Sequence, residues 1–181
     1  RDVLGSRGLG DVYKRQHPNV IGVGEIRAAA EAMSVAEASR TGHTCITTIH
    51  SNSAASSYRR MMTLVKRQYD MADAMLMQIM VEAFPIIIYT KQLEDGTRKI
   101  MEILEGEEYT DHLIYRSLYR YDVQDTRRRA NSSEVKIIGR HQKVGQMSDA
   151  LVKRFLDNGL SRREVSRFLK KEDEEPCNGS V

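Results

Sequence analysis

The alternation of apolar and polar stretches in the first third of the chain predicts a parallel α/β unit. The run NVIGVGEI at 19–26 is short and apolar and ends on a charge, which is typical of a strand buried on both faces. An alanine-rich segment at 27–40 predicts a helix that ends at Thr41-Gly42, and the β-branched run at 44–49 predicts a second strand. Because a helix joins the two strands, we expect them to lie parallel in one sheet.

The rest of the chain is predicted to continue with helices, then an antiparallel meander, and then a small helical hairpin. The expected elements are helices at 54–67 and 71–84, strands at 86–92, 97–104 and 113–121, and the helical hairpin at 147–171. Asp95-Gly96 between two β-type runs favours a hairpin turn. Ser148 can cap the first helix of the hairpin, and Ser161 with Glu164 forms a capping box for the second.

The first sixteen residues are expected to be foreign to the protein. A glycine-rich run there has nearly the spacing of a phosphate-binding loop, but Asp11 and Val12 stand where a lysine and a hydroxyl residue are needed. Back-translated, Ser6 to Gln16 resembles the transposase adaptor used to build sequencing libraries. We therefore expect 1–16 to be translated adaptor and the native sequence to begin at His17.

Composition restricts the chain to a globular protein without a disulfide framework. The two cysteines, Cys45 and Cys177, lie far apart, which favours a reducing compartment. No apolar run approaches the roughly 18 residues that a membrane span needs. Without 1–16, which hold four basic and two acidic residues, the formal net charge falls from +3 to about +1. A nucleic-acid partner is therefore not expected.

Two motifs place reactive side chains at one edge of the predicted sheet. The sequence VGEIR puts Glu25 at the carboxyl end of the first strand, and TGHTCITTIHSNS puts His50 just after the second. Ligands of open α/β sheets bind outside the carboxyl ends of the strands. A carboxylate there can orient a water, accept its proton and hold Mg²⁺ through water, while a histidine one strand away can stabilise phosphoryl charge. Thr48 is expected on the same side of its strand as His50.

These motifs resemble a known family. HPNVIGVGEIR followed by TGHTCITTIHSNS is similar to the Walker B region and histidine box of the secretion-ATPase superfamily, the motors of type II and type IV secretion and of type IV pili. The run IIIYTKQLEDGTRKIMEI resembles the hairpin of the tight-adherence (Flp-type) pilus branch. The resemblance covers roughly residues 17–121. It implies an α/β fold: the C-terminal half of a RecA-like P-loop ATPase core, with a parallel sheet, an antiparallel hairpin extension and a small helical appendage.

The resemblance, together with the strand geometry given above for Thr48, implies roles for five residues. Glu25 matches the Walker B glutamate, which handles the attacking water and the Mg²⁺ shell, and His43 and His50 match the histidine-box pair. Glu25, His50 and His43 are thus the expected catalytic residues. The expected contacts to the cofactors, ATP and Mg²⁺, come from Glu25, Arg27, Thr48 and His50, with Mg²⁺ held by Glu25 through water. Arg27 is expected to make a local salt bridge in preference to a phosphate contact.

The whole protein implied by the resemblance is a homo-hexameric motor that hydrolyses ATP to drive Flp/Tad-like pilus assembly or type II/IV secretion. It is expected in the cytoplasm, peripheral to the inner face of the cell membrane, with inner-membrane platform proteins as partners. The family's phosphate loop is expected upstream of His17, so the chain alone should be inactive. Strands expected there would cover Ile21, Val23 and Ile49, and their loss predicts aggregation.

The expected division of the chain is an adaptor, a partial ATPase core, a linker, a helical hairpin and a disordered tail, at 1–16, 17–122, 123–146, 147–171 and 172–181.

Three alternative functions stay open. One is a type IV secretion or conjugation ATPase of the same superfamily. The second is a metal-dependent hydrolase that uses His43, His50, Glu25 and Cys45. The third is a non-catalytic interaction module.

Overall fold

The structure is a computed structural model that describes residues 20–109, 112–128 and 135–169. The predicted adaptor at 1–16 and the predicted tail at 172–181 lie outside these residues. The strands are β1 (Val20–Val23), β2 (Thr44–Thr47), β3 (Ile86–Gln92), β4 (Arg98–Tyr109), β5 (His112–Arg128) and β6 (Val135–Lys143), and the helices are α1 (Ala29–Arg40), α2 (Ala54–Val65), α3 (Asp73–Ala83), α4 (Asp149–Asp157) and α5 (Arg162–Leu169). The predicted α/β class is confirmed.

The chain forms two compact units. Among the described residues, one unit consists of those up to Ile87 together with those of Gly106–Ile114, and the other of Ile88–Glu105 together with those from Tyr115 onward. In the first unit β1 and β2 pair in parallel, from Val20 opposite Thr44 to Val23 opposite Thr47, with α1 between them in sequence. The predicted parallel unit is thus confirmed.

Helices cover the face of this short sheet that carries the odd-numbered residues. Helix α1 packs against β2, and the three helices α1, α2 and α3 pack against one another in pairs. Ile21 is buried, and Val23 and Ile49 are half-buried, whereas Val20 and Ile46 on the opposite face are 53% and 63% exposed. Ile21 therefore keeps its cover on this face, contrary to expectation, whereas Val23 and Ile49 are covered only in part. Successive strand residues point to opposite sides, and the exposed apolar side chains belong to the other one.

One buried tyrosine connects α2 to the following segments of the first unit. The Tyr58 side chain is fully buried, and its hydroxyl donates a hydrogen bond to the Phe84 carbonyl at 2.5 Å. Gly106 donates its backbone N–H to the Pro85 carbonyl at 3.0 Å, and a Cβ at Gly106 would lie only 2.5 Å from the Tyr58 hydroxyl oxygen. Because a side chain cannot fit there, glycine is the residue that lets β4 approach α2 this closely.

The second unit contains most of a four-stranded sheet in the order β3-β4-β5-β6. Strands β5 and β6 are antiparallel, with a register shift between Val123 and Asp125. The structure therefore differs from the linker expected at 123–146, because the described residues there include the end of β5 and the whole of β6. Charged side chains of these strands are exposed, and an antiparallel sheet tolerates this because one of its faces can be solvated. Asp95 in the β3–β4 turn also accepts a hydrogen bond from the Ile137 N–H at 3.1 Å, which ties β6 to the hairpin.

The predicted helical hairpin is present as α4 and α5. The Ser148 hydroxyl oxygen caps α4 by accepting from the Leu151 N–H at 3.1 Å. Ser161 and Glu164 form the predicted capping box of α5, with the Ser161 N–H donating to the Glu164 carboxylate at 2.8 Å and the Glu164 N–H donating to the Ser161 hydroxyl at 3.2 Å. Buried Glu105 anchors the start of α4, since its two carboxylate oxygens accept from the N–H and the hydroxyl of Ser148.

Candidate functional site

The carboxyl ends of β1 and β2 bring Glu25 and His50 together. Each residue follows its strand by two or three positions, and the two strands are parallel and in register. Nε2 of His50 lies 3.3 Å from Oε1 of Glu25. The Glu25 side chain is 20% exposed, whereas that of His50 is 92% exposed. A sheltered carboxylate therefore stands beside an imidazole that is open to solvent.

Arg27 holds the other oxygen of the same carboxylate. Its Nε and Nη2 atoms lie 2.7 Å and 2.5 Å from Oε2 of Glu25. The hydrogen bond from Arg27 lowers the pKa of Glu25 below its usual value; burial opposes this shift, and the charges of Arg27 and His50 add to it. Glu25 is therefore a carboxylate at neutral pH. The local salt bridge expected for Arg27 is present.

The turn that presents Glu25 and Arg27 is held by the start of α1. The Glu31 carboxylate accepts from the N–H groups of Arg27 and Ala28, at 2.7 Å and 3.1 Å. These bonds satisfy backbone donors that have no partner in the first turn of the helix. Glu31 therefore has a positioning role, because it holds the backbone of Arg27, whose side chain contacts the Glu25 carboxylate.

Thr48 connects the two strand ends. Its hydroxyl donates to the Gly24 carbonyl at 2.6 Å, and its carbonyl accepts from the Ile26 N–H at 2.8 Å. These bonds continue the β1–β2 pairing past the strand ends on both sides of Glu25. Because the Thr48 hydroxyl proton is already donated to the Gly24 carbonyl, the role of Thr48 in this arrangement is to hold the backbone beside Glu25.

His43 lies at the opposite end of β2 from His50. It directly precedes the strand, and its backbone N–H and its Nδ1 lie 3.1 Å and 3.3 Å from the Ala38 carbonyl near the end of α1. The Cys45 thiol is half-buried, and burial raises its pKa. The structure does not bring His43 to the Glu25 cavity. Across residues 20–109, 112–128 and 135–169, no group of three or more His, Cys, Asp or Glu side chains could hold a metal ion.

A cavity of about 220 Å³ opens at the Glu25 carboxylate. It is lined by Glu25, Ile26, Arg27, His50 and Arg60. A second cavity of about 470 Å³ shares His50 and Arg60 with the first and adds Ser51, Asn52 and Ser56. Sequence reasoning missed Arg60. The signal that could have found it is the spacing of Ser56 and Arg60, which are four residues apart and so share one face of α2.

The loop after His50 is held to the first turn of α2 by serine hydroxyls. Ser53 is the N-cap: its hydroxyl accepts from the Ser56 N–H at 3.1 Å, and its own N–H donates to the Ser56 hydroxyl at 2.9 Å. The hydroxyl oxygens of Ser51 and Ser57 lie 2.8 Å apart. This network fixes the path of the chain between His50 and Arg60.

The residues at the first cavity fit a Mg²⁺ ion that binds together with phosphate. Glu25 is the one carboxylate among the described residues that line it, and Arg27 and His50 already contact its two oxygens. Mg²⁺ keeps several waters and is commonly held by one or two carboxylates plus substrate phosphates. A single carboxylate acting through water suits that mode and does not suit an all-protein cage.

Comparison with known proteins gives the chain a family resemblance. Residues 11–85 match the family model described as type II/IV secretion system protein. The uncharacterized protein MJ1287 of Methanocaldococcus jannaschii is 30% identical over 115 residues, which cover 61% of this chain and 40% of that protein. In Pseudomonas aeruginosa, type II secretion system protein E is 36% identical over 75 residues (41% of this chain, 15% of that protein). The type IV pilus assembly ATPase PilB of the same organism is 37% identical over 62 residues (34% and 11%).

The matched segment contains the whole candidate site. Residues 11–85 include β1 through α3, and with them Glu25, Arg27, His50 and Arg60. The chain spans between 11% and 40% of the length of these three relatives. None of the helices in the described part of the chain combines the length and the apolar character needed to cross a bilayer.

Proposed function

Because residues 11–85 match the type II/IV secretion system protein family, we propose that this chain is part of an ATP-hydrolysing secretion or pilus motor. Glu25 and His50 form part of its hydrolytic site. The observation that carries the proposal is the 3.3 Å approach of the His50 imidazole to the Glu25 carboxylate, at the carboxyl edge of two parallel strands.

The chemistry of phosphoryl transfer suits these residue types, because it needs positioning and charge stabilisation more than covalent chemistry. In the proposed mechanism Oε1 of Glu25 accepts a hydrogen bond from the water that attacks the terminal phosphorus, and it takes the water proton as the new P–O bond forms and the bond to the leaving ADP oxygen breaks. Arg27 holds Oε2 and so fixes the plane of the carboxylate. The hydrogen bond from Arg27 lowers the pKa of Glu25, so Glu25 is a weaker base than an unpaired carboxylate and its main contribution is to orient the water. Mg²⁺, when bound with the nucleotide, neutralises phosphate charge.

The second group in the mechanism is His50, which is exposed enough to donate a hydrogen bond to the terminal phosphate. Thr48 and Arg27 contribute by holding the strand ends and the carboxylate; their direct contact with nucleotide stays a prediction. His43 belongs to the same sequence motif, and its proposed catalytic role needs a separate test because it lies at the other end of β2.

We also propose where the missing phosphate loop lies, how the intact motor assembles and to which branch of motors it belongs. No G-x-x-x-x-G-K-[ST] sequence occurs in the 181 residues, so we propose that a phosphate loop outside them completes the site and that the chain alone turns over no ATP. The intact protein would have the RecA-like core and form a homo-hexamer at the inner face of the cell membrane, with inner-membrane platform proteins as partners. The hairpin sequence favours the Flp/Tad pilus branch, and the names of the relatives support a pilus or secretion motor.

The test is a pair of isosteric substitutions in the intact protein that carries this segment. Glu25→Gln keeps the shape of the side chain and removes its charge, and we expect kcat for ATP to fall by about two orders of magnitude or more. Glu37→Gln is the matched control, because Glu37 is an exposed residue of α1 that lines neither cavity, and its turnover should stay within about twofold of the unmodified protein. Undiminished turnover in Glu25→Gln would refute the proposed function.

A further inference from the structure

We infer that Arg60 is a second phosphate-binding cation of this site and that the polyphosphate chain of a nucleotide lies between Arg60 and His50. The inference rests on the proposed function and deepens it, since it names the group that would hold the ligand on the α2 side of the cavity.

The shapes of the two cavities support this path. Both are lined by His50 and Arg60, so a ligand that extends from one into the other passes these two side chains. The first cavity ends at the Glu25 carboxylate, and the second runs along the start of α2 past Ser51 and Ser56. An elongated anion with its terminal group near Glu25 would therefore have its next groups beside Arg60.

The balance of charge at the site also favours an anion. The first cavity has one carboxylate and two guanidinium groups, and Arg27 already compensates the charge of Glu25. Arg60 is exposed, and in the described parts of the chain no carboxylate forms an ion pair with it. A surplus positive charge with a planar array of donors is suited to phosphate, which guanidinium groups bind through two parallel hydrogen bonds.

The backbone of Arg60 is held in place by the packing of α2. The neighbouring Met61 is 1% exposed, and Tyr58, two residues earlier, is fully buried and hydrogen-bonded to Phe84. Only the side chain of Arg60 is therefore left to adjust to a ligand. The preceding residue, Arg59, is also exposed but lines neither cavity, which makes it a matched control with the same charge at the adjacent position of the helix.

The direct test measures binding of sodium tripolyphosphate to the 181-residue chain by isothermal titration calorimetry at low salt. We expect Arg60→Ala to weaken the affinity about five- to tenfold, Arg60→Lys to recover part of the loss, and Arg59→Ala to change it by less than about twofold. Circular dichroism checks that the variants are folded, which is expected because both arginines are exposed. The inference is overturned if Arg59→Ala and Arg60→Ala behave alike, or if the unmodified chain does not bind tripolyphosphate.

A second measurement separates this inference from the proposed function. In the intact protein Arg60→Ala should raise KM for ATP more than it lowers kcat, whereas Glu25→Gln should mainly lower kcat. Loss of turnover in Glu25→Gln with no difference between Arg59→Ala and Arg60→Ala would leave the motor assignment in place and remove the role of Arg60. Full turnover in Glu25→Gln with weakened tripolyphosphate binding in Arg60→Ala would remove the motor assignment and leave the role of Arg60 in place.

Discussion

The contact between Gly106 and Tyr58 predicts that replacing Gly106 by alanine lowers the free energy of unfolding. A Cβ at position 106 would lie 2.5 Å from the Tyr58 hydroxyl oxygen and 2.8 Å from Cζ, where ordinary contacts begin at 3.4 Å. Tyr58 is fully buried and cannot swing aside without breaking its hydrogen bond to the Phe84 carbonyl. We therefore expect Gly106→Ala to destabilise the chain by about 1–3 kcal/mol through overpacking.

A double-mutant cycle identifies the cause of that loss. Tyr58→Phe removes the buried hydroxyl and leaves the Phe84 carbonyl without this donor, which should cost about 1–3 kcal/mol by itself. In the double variant the atom closest to the new Cβ is gone, so the two losses should not add. We expect the double variant to be more stable than their sum by at least about 0.5 kcal/mol.

The assay is urea unfolding of the 181-residue chain followed by far-UV circular dichroism. Gly22→Ala is the matched control, because a Cβ at Gly22 in β1 meets no atom within 4 Å, and its midpoint should be unchanged or slightly higher. The steric explanation is refuted if Gly106→Ala is as stable as Gly22→Ala, or if the cycle is additive within about 0.3 kcal/mol.

Three further predictions concern the cap of α4, the site carboxylate and the histidine motif. Glu105→Gln should lower the free energy of unfolding by about 1–3 kcal/mol, because an amide can replace only one of the two oxygens that accept from Ser148; an unchanged urea midpoint contradicts this. Arg27→Ala should raise the pKa of Glu25, so that the carboxyl group titrates at higher pH than in the unmodified chain and its charge is lost earlier as the pH falls; carboxyl NMR titrations that coincide would exclude the effect. His43→Ala in the intact protein should lower kcat for ATP if the histidine motif acts as a pair, and an unchanged kcat removes His43 from the proposed catalytic residues.

The edge on which Glu25 and His50 meet could be predicted from the sequence. Two apolar strands joined by a helix are expected to be parallel strands of one sheet, and residues that follow such strands then share one edge of that sheet. The helix caps at Ser148 and Ser161 were equally predictable, since a cap involves residues only three positions apart. These are local or topological consequences of the residue pattern, and they need no knowledge of how distant segments pack.

Long-range contacts decided the rest. The polar stretch at 135–143 became β6 because it pairs with β5 and because Asp95, about forty residues earlier, accepts from its backbone. Arg60 lines the Glu25 cavity from a helix, α2, that packs against α1 and α3. The sequence by itself determined which elements form and which strand ends meet, since hydrophobic periodicity and helix capping act over a few residues. Only the tertiary structure decided which side chains of other elements complete the site, because that depends on atoms brought together from distant parts of the chain.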